Sequence, residues 1–203
     1  MWRLTTTIPN ECVVAISGGA DSVAILHFIK RSHRKVSAAI FDHGTGLHDI
    51  TYPIVKKMCD EMGVELFVGK ISDTDNGKKS PEEHWRDERY RWLESLGKPV
   101  ITGHNLDDNI ETYLWSFANG NAKFIPSVRN QIVLRPFLAV SHEEMVEYCV
   151  KNNLQYHDDP SNKDFKYTRS KVRYGLKPEI EKINPGFRNM IKRKILNGEN
   201  NIS

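Results

Sequence analysis

Cys12-Val13-Val14-Ala15-Ile16 leads into Ser17-Gly18-Gly19-Ala20-Asp21-Ser22, and that turn leads into Val23-Ala24-Ile25-Leu26-His27-Phe28-Ile29. The first run is short, apolar and β-branched, which reads as a buried strand. The last has helical apolar spacing. A strand therefore hands a glycine-rich turn to a helix N-terminus, where the first N–H groups lack partners and the peptide dipoles sum to partial positive charge. Such an end suits phosphate. The glycines let backbone approach an anion, and Ser17 and Ser22 add hydroxyl donors. No G-x-x-x-x-G-K-[ST] string occurs in the chain, so this is not a Walker A loop. Asp21 stands where that loop would place cations. A carboxylate beside phosphates makes chemical sense when it holds a magnesium ion that bridges them. The plainer reading is a packing turn with Asp-Ser as a first-turn cap.

Outward from this turn, strand-like runs at 12–16, 36–41, 64–68, 99–102 and 132–134 alternate with helical patterns at 21–31, 50–62, 81–96, 107–117 and 142–153. The alternation predicts an α/β fold with a doubly wound, parallel, five-stranded sheet covered by helices on both faces. Residues 1–140 form the expected nucleotide-binding domain, and 141–203 a helical, basic C-terminal extension of the same unit. In such sheets ligands bind beyond the carboxyl ends of the strands. Asp42-His43-Gly44 follows the second strand, and Gly103-His104 follows a later one. Residues 72–80, rich in Asp, Asn, Gly, Lys and Ser, read as a loop.

The 203 residues are 39% hydrophobic and 27% charged, enough to bury a core without staples. No apolar stretch approaches the ~20 residues that cross a bilayer, and the first residues lack the apolar segment of a signal peptide. Cys12, Cys59 and Cys149 form no C-x-x-C pair. Cys12 and Cys59 lie on apolar patterns and are expected to be buried free thiols of a reducing compartment, the cytoplasm. Charge is uneven. Between Lys163 and Lys194 eleven Lys and Arg face three Asp and Glu, a local +8 in a chain of net +3, which leaves −5 for the rest. A basic segment on an acidic body suggests a polyanionic partner, while a solvated helix face explains the same charges without one.

Two further constellations carry chemistry. In Thr102-Gly103-His104-Asn105-Leu106-Asp107-Asp108-Asn109-Ile110-Glu111-Thr112, a strand ends and a helix opens on paired acids. Asp108 and Glu111 are three apart and share a helix face. They suit a cation, either Mg2+ or a substrate amine, and equally suit the helix dipole. Asp159-Pro160-Ser161-Asn162 is strong turn chemistry. It precedes Arg169 and Arg173, four apart, whose guanidinium groups suit phosphate or carboxylate.

The string S-G-G-x-D-S resembles the pyrophosphate loop of the N-type ATP pyrophosphatases. The ordered set of motifs from about Cys12 to Phe187 resembles the tRNA(Ile)-lysidine synthetase family. It comprises the loop, Asp42-His43-Gly44, Glu83…Arg86…Arg89-Tyr90, Thr102–Thr112, Arg135-Pro136-Phe137-Leu138, Asp159–Asn162, Tyr167, Arg169 and Arg173. The resemblance implies a Rossmann-like, adenine nucleotide alpha hydrolase-like fold, in a short form without the family's further C-terminal domains. It implies ATP and Mg2+ as cofactors. ATP would adenylylate the wobble cytidine of a CAU-anticodon tRNA(Ile), and free L-lysine would displace AMP to give lysidine. The implied nucleotide-binding residues are Ser17, Gly18, Gly19, Ala20, Asp21, Ser22, Phe41, His43, Gly103 and His104, with Asp21 on the metal. Asp21, Asp108, Glu111 and Arg169 would be catalytic. Asp108, Glu111, Arg86, Arg89, Arg169 and Arg173 would hold substrate. The implied partners are the tRNA and lysine, with no membrane, and a homodimer as the candidate oligomer. The chain departs from the family pattern at Trp85, Asn105 and Ser170. A tRNA-thiolating relative, another ligase acting on a small molecule, and a catalytically silent nucleotide-binding module are the alternatives.

Overall fold

A computed structural model describes residues 2–72, 80–157 and 168–198. The Asp159–Asn162 turn, Tyr167 and most of the 72–80 loop lie outside the described residues.

The elements are β1 (Glu11–Ala15), α1 (Ala20–Arg31), β2 (Lys35–Asp42), α2 (Leu47–Met62), β3 (Leu66–Lys70), α3 (Pro81–Ser95), β4 (Val100–Ile101), α4 (Leu106–Ala118), β5 (Val128–Arg129), β6 (Val133–Leu134) and α5 (His142–Lys151). After them come α6 (Thr168–Lys171), a π-helical turn (Val172–Leu176), α7 (Lys177–Ile183) and α8 (Phe187–Leu196). The sheet order is β3-β2-β1-β4-β6-β5. Pairs β1·β2, β1·β4, β2·β3 and β4·β6 are parallel.

The expected five strands are six among the described residues. The sixth is a short antiparallel edge, Val128 and Arg129 paired with Leu134 and Val133. Its turn is made by Asn130 and Gln131, both left-handed at φ 50° and 58°. Neither Gly nor Pro marks the turn, and a two-residue strand carries no readable period.

Alternate strand residues enter opposite cores, as the pleat requires. Cys12, Val14, Ala38, Ile40 and Ile101 pack with α1, α2 and α5. Val13, Ala39, Val100 and Val133 pack with Tyr90 and Leu93 of α3 on the other face. Helix α5 belongs to the first core through Met145 and Cys149. The C-terminal helices dock on α4 through Ile110, Leu114, Val172, Phe187, Ile191 and Ile195. All three cysteines are buried free thiols. Burial pushes each up to about 11, so none supplies a ready thiolate at neutral pH.

Candidate active site

The chain runs outward from β1 through β2 to β3, then returns to lay β4 on the other side of β1. The carboxyl ends of β1 and β4 therefore flank the point where the winding reverses, the usual place for a crevice. A cleft of about 300 Å3 opens there, and Ser17, Gly19, Asp21, Ser22, Phe41, His43, Gly103, His104, Asp108 and Arg169 are among its lining residues. A methyl group at Gly103 would lie 3.6 Å from the Ser22 nitrogen, so the two loops touch.

The β1–α1 turn is braced from within. The Ser17 N–H donates to Ser22 Oγ at 3.1 Å, and the Ser22 hydroxyl donates to the Gly19 carbonyl at 3.0 Å. Helices α4 and α5 begin with capping boxes and α3 with a Ser80 cap, but among the described residues no side chain caps α1. Such an end suits an anion. Gly18 has φ +86°, and a Cβ there would sit 2.8 Å from Thr51 Cβ. Only glycine fits between this turn and α2. Gly18 and Ala20 shape the turn from outside the cleft lining. The Gly18 carbonyl accepts from the His157 N–H at 2.9 Å.

Asp21 accepts a hydrogen bond from His142 at 2.8 Å, donated by Nδ1 at the start of α5. Burial raises the Asp21 carboxyl above its ordinary value, with His142 opposing. The bond to Asp21 raises His142. Among the described residues no group of three or more His, Cys, Asp or Glu is placed to hold a metal ion. Magnesium usually takes one or two carboxylates plus phosphate oxygens and waters. Asp21, beside an open helix N-terminus, fits a magnesium that arrives with a nucleotide.

The acids of α4 have different roles. Asp107 is buried and faces away from the cleft lining. It accepts from the His142 N–H (2.9 Å), Lys177 (2.5 Å) and both Arg188 terminal nitrogens (2.8 and 3.2 Å). Burial works against its charge, but these donors overcome it and hold the carboxyl down at about 2. Asp108 lines the cleft, and its Oδ2 closes a capping box with Asn105. That box gives Asn105 a structural reason to stand in its position. Arg169 Nη2 donates to Asp108 Oδ1. Glu111 is 2% exposed at its side chain and accepts from Arg169 Nε at 2.7 Å and Arg173 Nε at 2.5 Å. Burial opposes the charge of Arg173, but bonding to Glu111 outweighs it and raises the pKa. The acids and arginines that the sequence presents as separate ligand sets thus neutralise each other here, because the docking of 168–183 on α4 brings them face to face.

The same pairing consumes much of the basic segment. Arg169, Arg173, Lys177, Lys182, Arg188 and Lys192 all have carboxylate partners. Lys171 and Arg193 are exposed.

The wall of the cleft at the end of β2 is aromatic. Phe41 and His43 lie 5.0 Å apart by ring centroids, and Trp85 stands 6.2 Å from His43. Trp85 thereby backs the cleft-lining His43. Burial lowers His43 to about 4, so its imidazole is neutral at pH 7. His104 is neutral too, depressed by burial and by nearby arginines, and its Nδ1 meets Thr102 Oγ1 at 2.9 Å. Arg89 lines the cleft with a buried Nε that has no hydrogen-bond partner among the described residues. Arg86 is exposed, sits over the Tyr90 ring at 5.5 Å and does not line the cleft.

The structure therefore gathers eleven expected residues in one cleft, Arg89 among them, and puts Glu111 and Arg173 directly behind Asp108 and Arg169. Sequence reasoning missed Thr51, His48 and His142. Thr51 and His48 follow the Asp42-His43-Gly44 turn closely. His142 lies 121 residues from its partner Asp21, with no motif around it.

Against known proteins, residues 4–180 match the PP-loop domain family. The chain is 30% identical over 206 residues to the tRNA(Ile)-lysidine synthase of Thermosipho africanus, covering 93% of this chain and 48% of that protein. It is 32% identical over 192 residues to that of Clostridioides difficile, covering 85% and 41%. It spans about half the length of these curated relatives. Among solved structures, an NMN synthetase from Francisella tularensis superposes with a TM-score of 0.58 at 13% identity, covering 91% of this chain and 86% of that one. An NH3-dependent NAD synthetase from Campylobacter jejuni gives 0.54 at 16%, covering 95% and 85%. At these identities the likeness is one of fold. Among the described residues, no helix is long and apolar enough to cross a membrane.

Proposed function

The chain belongs to the PP-loop family, and from that premise we propose that it is an ATP-dependent carbon–nitrogen ligase of the tRNA(Ile)-lysidine synthetase type. In this reading the C2 oxygen of the wobble cytidine in a CAU-anticodon tRNA(Ile) attacks the α-phosphorus of ATP. Pyrophosphate leaves, and an adenylylated tRNA remains. The ε-amine of L-lysine, having lost a proton, attacks C2. AMP departs with the oxygen, and lysidine is formed.

One observation carries the proposal: an uncapped helix N-terminus, a lone carboxylate, and a carboxylate–guanidinium pair converge in a single cleft. The N–H groups of α1, with Ser17 and Ser22, would hold the phosphates. Asp21 would hold Mg2+, which when bound neutralises charge on the departing pyrophosphate. Neutral His43 with Phe41 would face the adenine. Asp108 and Glu111 already have guanidinium partners, so a free amino acid would enter by exchange. Its ammonium would replace an arginine at the acids, and its carboxylate would take the released Arg169. Arg89, with no carboxylate partner among the described residues, would serve a phosphate. The buried thiols count against the thiolating alternative. The names of the curated relatives favour the lysine reading.

Incubation with CAU-anticodon tRNA(Ile), ATP, Mg2+ and labelled lysine, followed by nucleoside mass analysis, tests the proposal. Lysidine should form with equal release of pyrophosphate. Pyrophosphate release that is indifferent to lysine and tRNA would overturn it.

A further inference from the structure

His142 lies outside every motif of the sequence, yet it touches the acid at the centre of the phosphate loop. Its ring and its backbone are held by different acids. Nδ1 meets Asp21 Oδ1 at 2.8 Å. Its main-chain N–H donates to Asp107 Oδ2 at 2.9 Å, and Asp107 is fixed by Lys177 and Arg188. Its backbone is also the first residue of α5, whose capping box pairs Ser141 with Glu144. The residue is thus clamped at its main chain and has only its ring to aim. A carboxylate oxygen accepts, so the Nδ1–H donates.

We propose that His142 is a positioning residue for Asp21. Its Nδ1–H fixes one carboxylate oxygen, so that the other is presented to the cation bound with a nucleoside triphosphate. This rests on the nucleotide reading above and adds to it a residue that does not itself contact the ligand. A magnesium site with few protein ligands depends on the orientation of each one. Without the histidine, Asp21 has other rotamers to occupy, and part of the binding free energy goes into selecting one.

The test uses the whole chain and reads binding rather than turnover. The fluorescence of a labelled ATP analogue is titrated with Mg2+, and separately the analogue is titrated in EDTA. His142→Ala should raise the Mg2+ concentration for half-saturation about tenfold, the size of one charge-assisted hydrogen bond. Its metal-free affinity should stay within about twofold. His142→Asn attaches an N–H to Cγ, as Nδ1 is attached, and should restore the Mg2+ dependence to within about threefold of the parent. A merely structural role would lower metal-free and metal-dependent binding together and would not discriminate Asn from Ala. An unchanged half-saturation in His142→Ala overturns the proposal. A lower one does so too, because it would make the histidine a competitor of the metal. Should the parent protein bind the analogue at no Mg2+ concentration, the nucleotide reading fails, and this inference with it.

Discussion

Replacing Glu111 with Gln should destabilise the protein by an amount that the structure lets one work out. The Glu111 side chain is 2% exposed and takes three hydrogen bonds, from Arg169 Nε and from Arg173 Nε and Nη2. With Asp108, the four side chains sum to zero charge. The amide removes one charge and turns an NH2 toward guanidinium donors, which leaves a buried net cation. Breaking a buried pair from one side typically costs 3–5 kcal/mol. Arg169 and Arg173 are 55% and 31% exposed, so water recovers part of that, and about 3 kcal/mol is expected. For a domain of this size the loss corresponds to a Tm drop of about 6–12 °C. Thermal and urea unfolding followed by circular dichroism would measure it, with Arg173→Met and the double variant completing a cycle. Removing both partners should cost less than the sum of the singles by more than about 1 kcal/mol. Limited proteolysis should find 168–198 exposed first in Glu111→Gln. Additivity within about 0.5 kcal/mol, or a Tm shift under about 2 °C, would refute the view that Glu111 fastens the C-terminal helices.

Asp107 should give the protein an acid-labile component. Its folded value of about 2 lies below the ordinary 3.8, so its contribution is full above pH 4 and is lost as the pH falls from about 4 to about 2. Urea midpoints across that window should drop by the equivalent of about 2 kcal/mol, and Asp107→Asn should flatten the drop. Gly18→Ala should lower stability by about 2–4 kcal/mol, combining a disfavoured positive φ with the contact against Thr51; a Tm within 2 °C of the parent would contradict this. Lys171→Gln with Arg193→Gln should reduce the slope of log affinity against log salt for tRNA by about two. Arg188→Gln should instead lower Tm and leave the slope unchanged, because its guanidinium is held by Asp107.

The β1–α1 turn and both strand ends were legible because local rules write them: a β-branched run, glycines, and an acid at a helix start. The parallel order followed from alternation. Arg169 and Arg173 were legible as a pair but not as partners of Asp108 and Glu111. That contact depends on how the 168–183 helical run docks against α4, which no local spacing encodes. The +8 of the basic segment was arithmetically right, yet it overstated the charge open to a partner for the same reason. His142 was invisible because its function depends on α5 packing beside α1. The β5 edge strand and its turn to β6 were invisible because Asn130-Gln131 carries no Gly and a two-residue strand shows no period.

The π-helical turn at 172–176 has a geometric consequence for this docking. Arg169, Arg173 and Lys177 are spaced by fours, and all three meet acids of α4. In a pure α-helix each residue advances about 100°, so every step of four overshoots a full turn by about 40°. Two steps would swing Lys177 some 80° around the axis from Arg169. A π turn winds more slowly per residue and takes up the overshoot, so the three cations run as a straight seam. The phase of the seam therefore resides in the winding of this turn more than in the identity of its side chains. Loss of a single residue within 174–176 would re-form ordinary helix, and because seven α residues advance about 700°, Lys177 would stay within about 20° of its bearing on α4. Winding the same five residues as ordinary helix, with none removed, would instead carry Lys177 and the cations beyond it about 80° out of register with α4 at once.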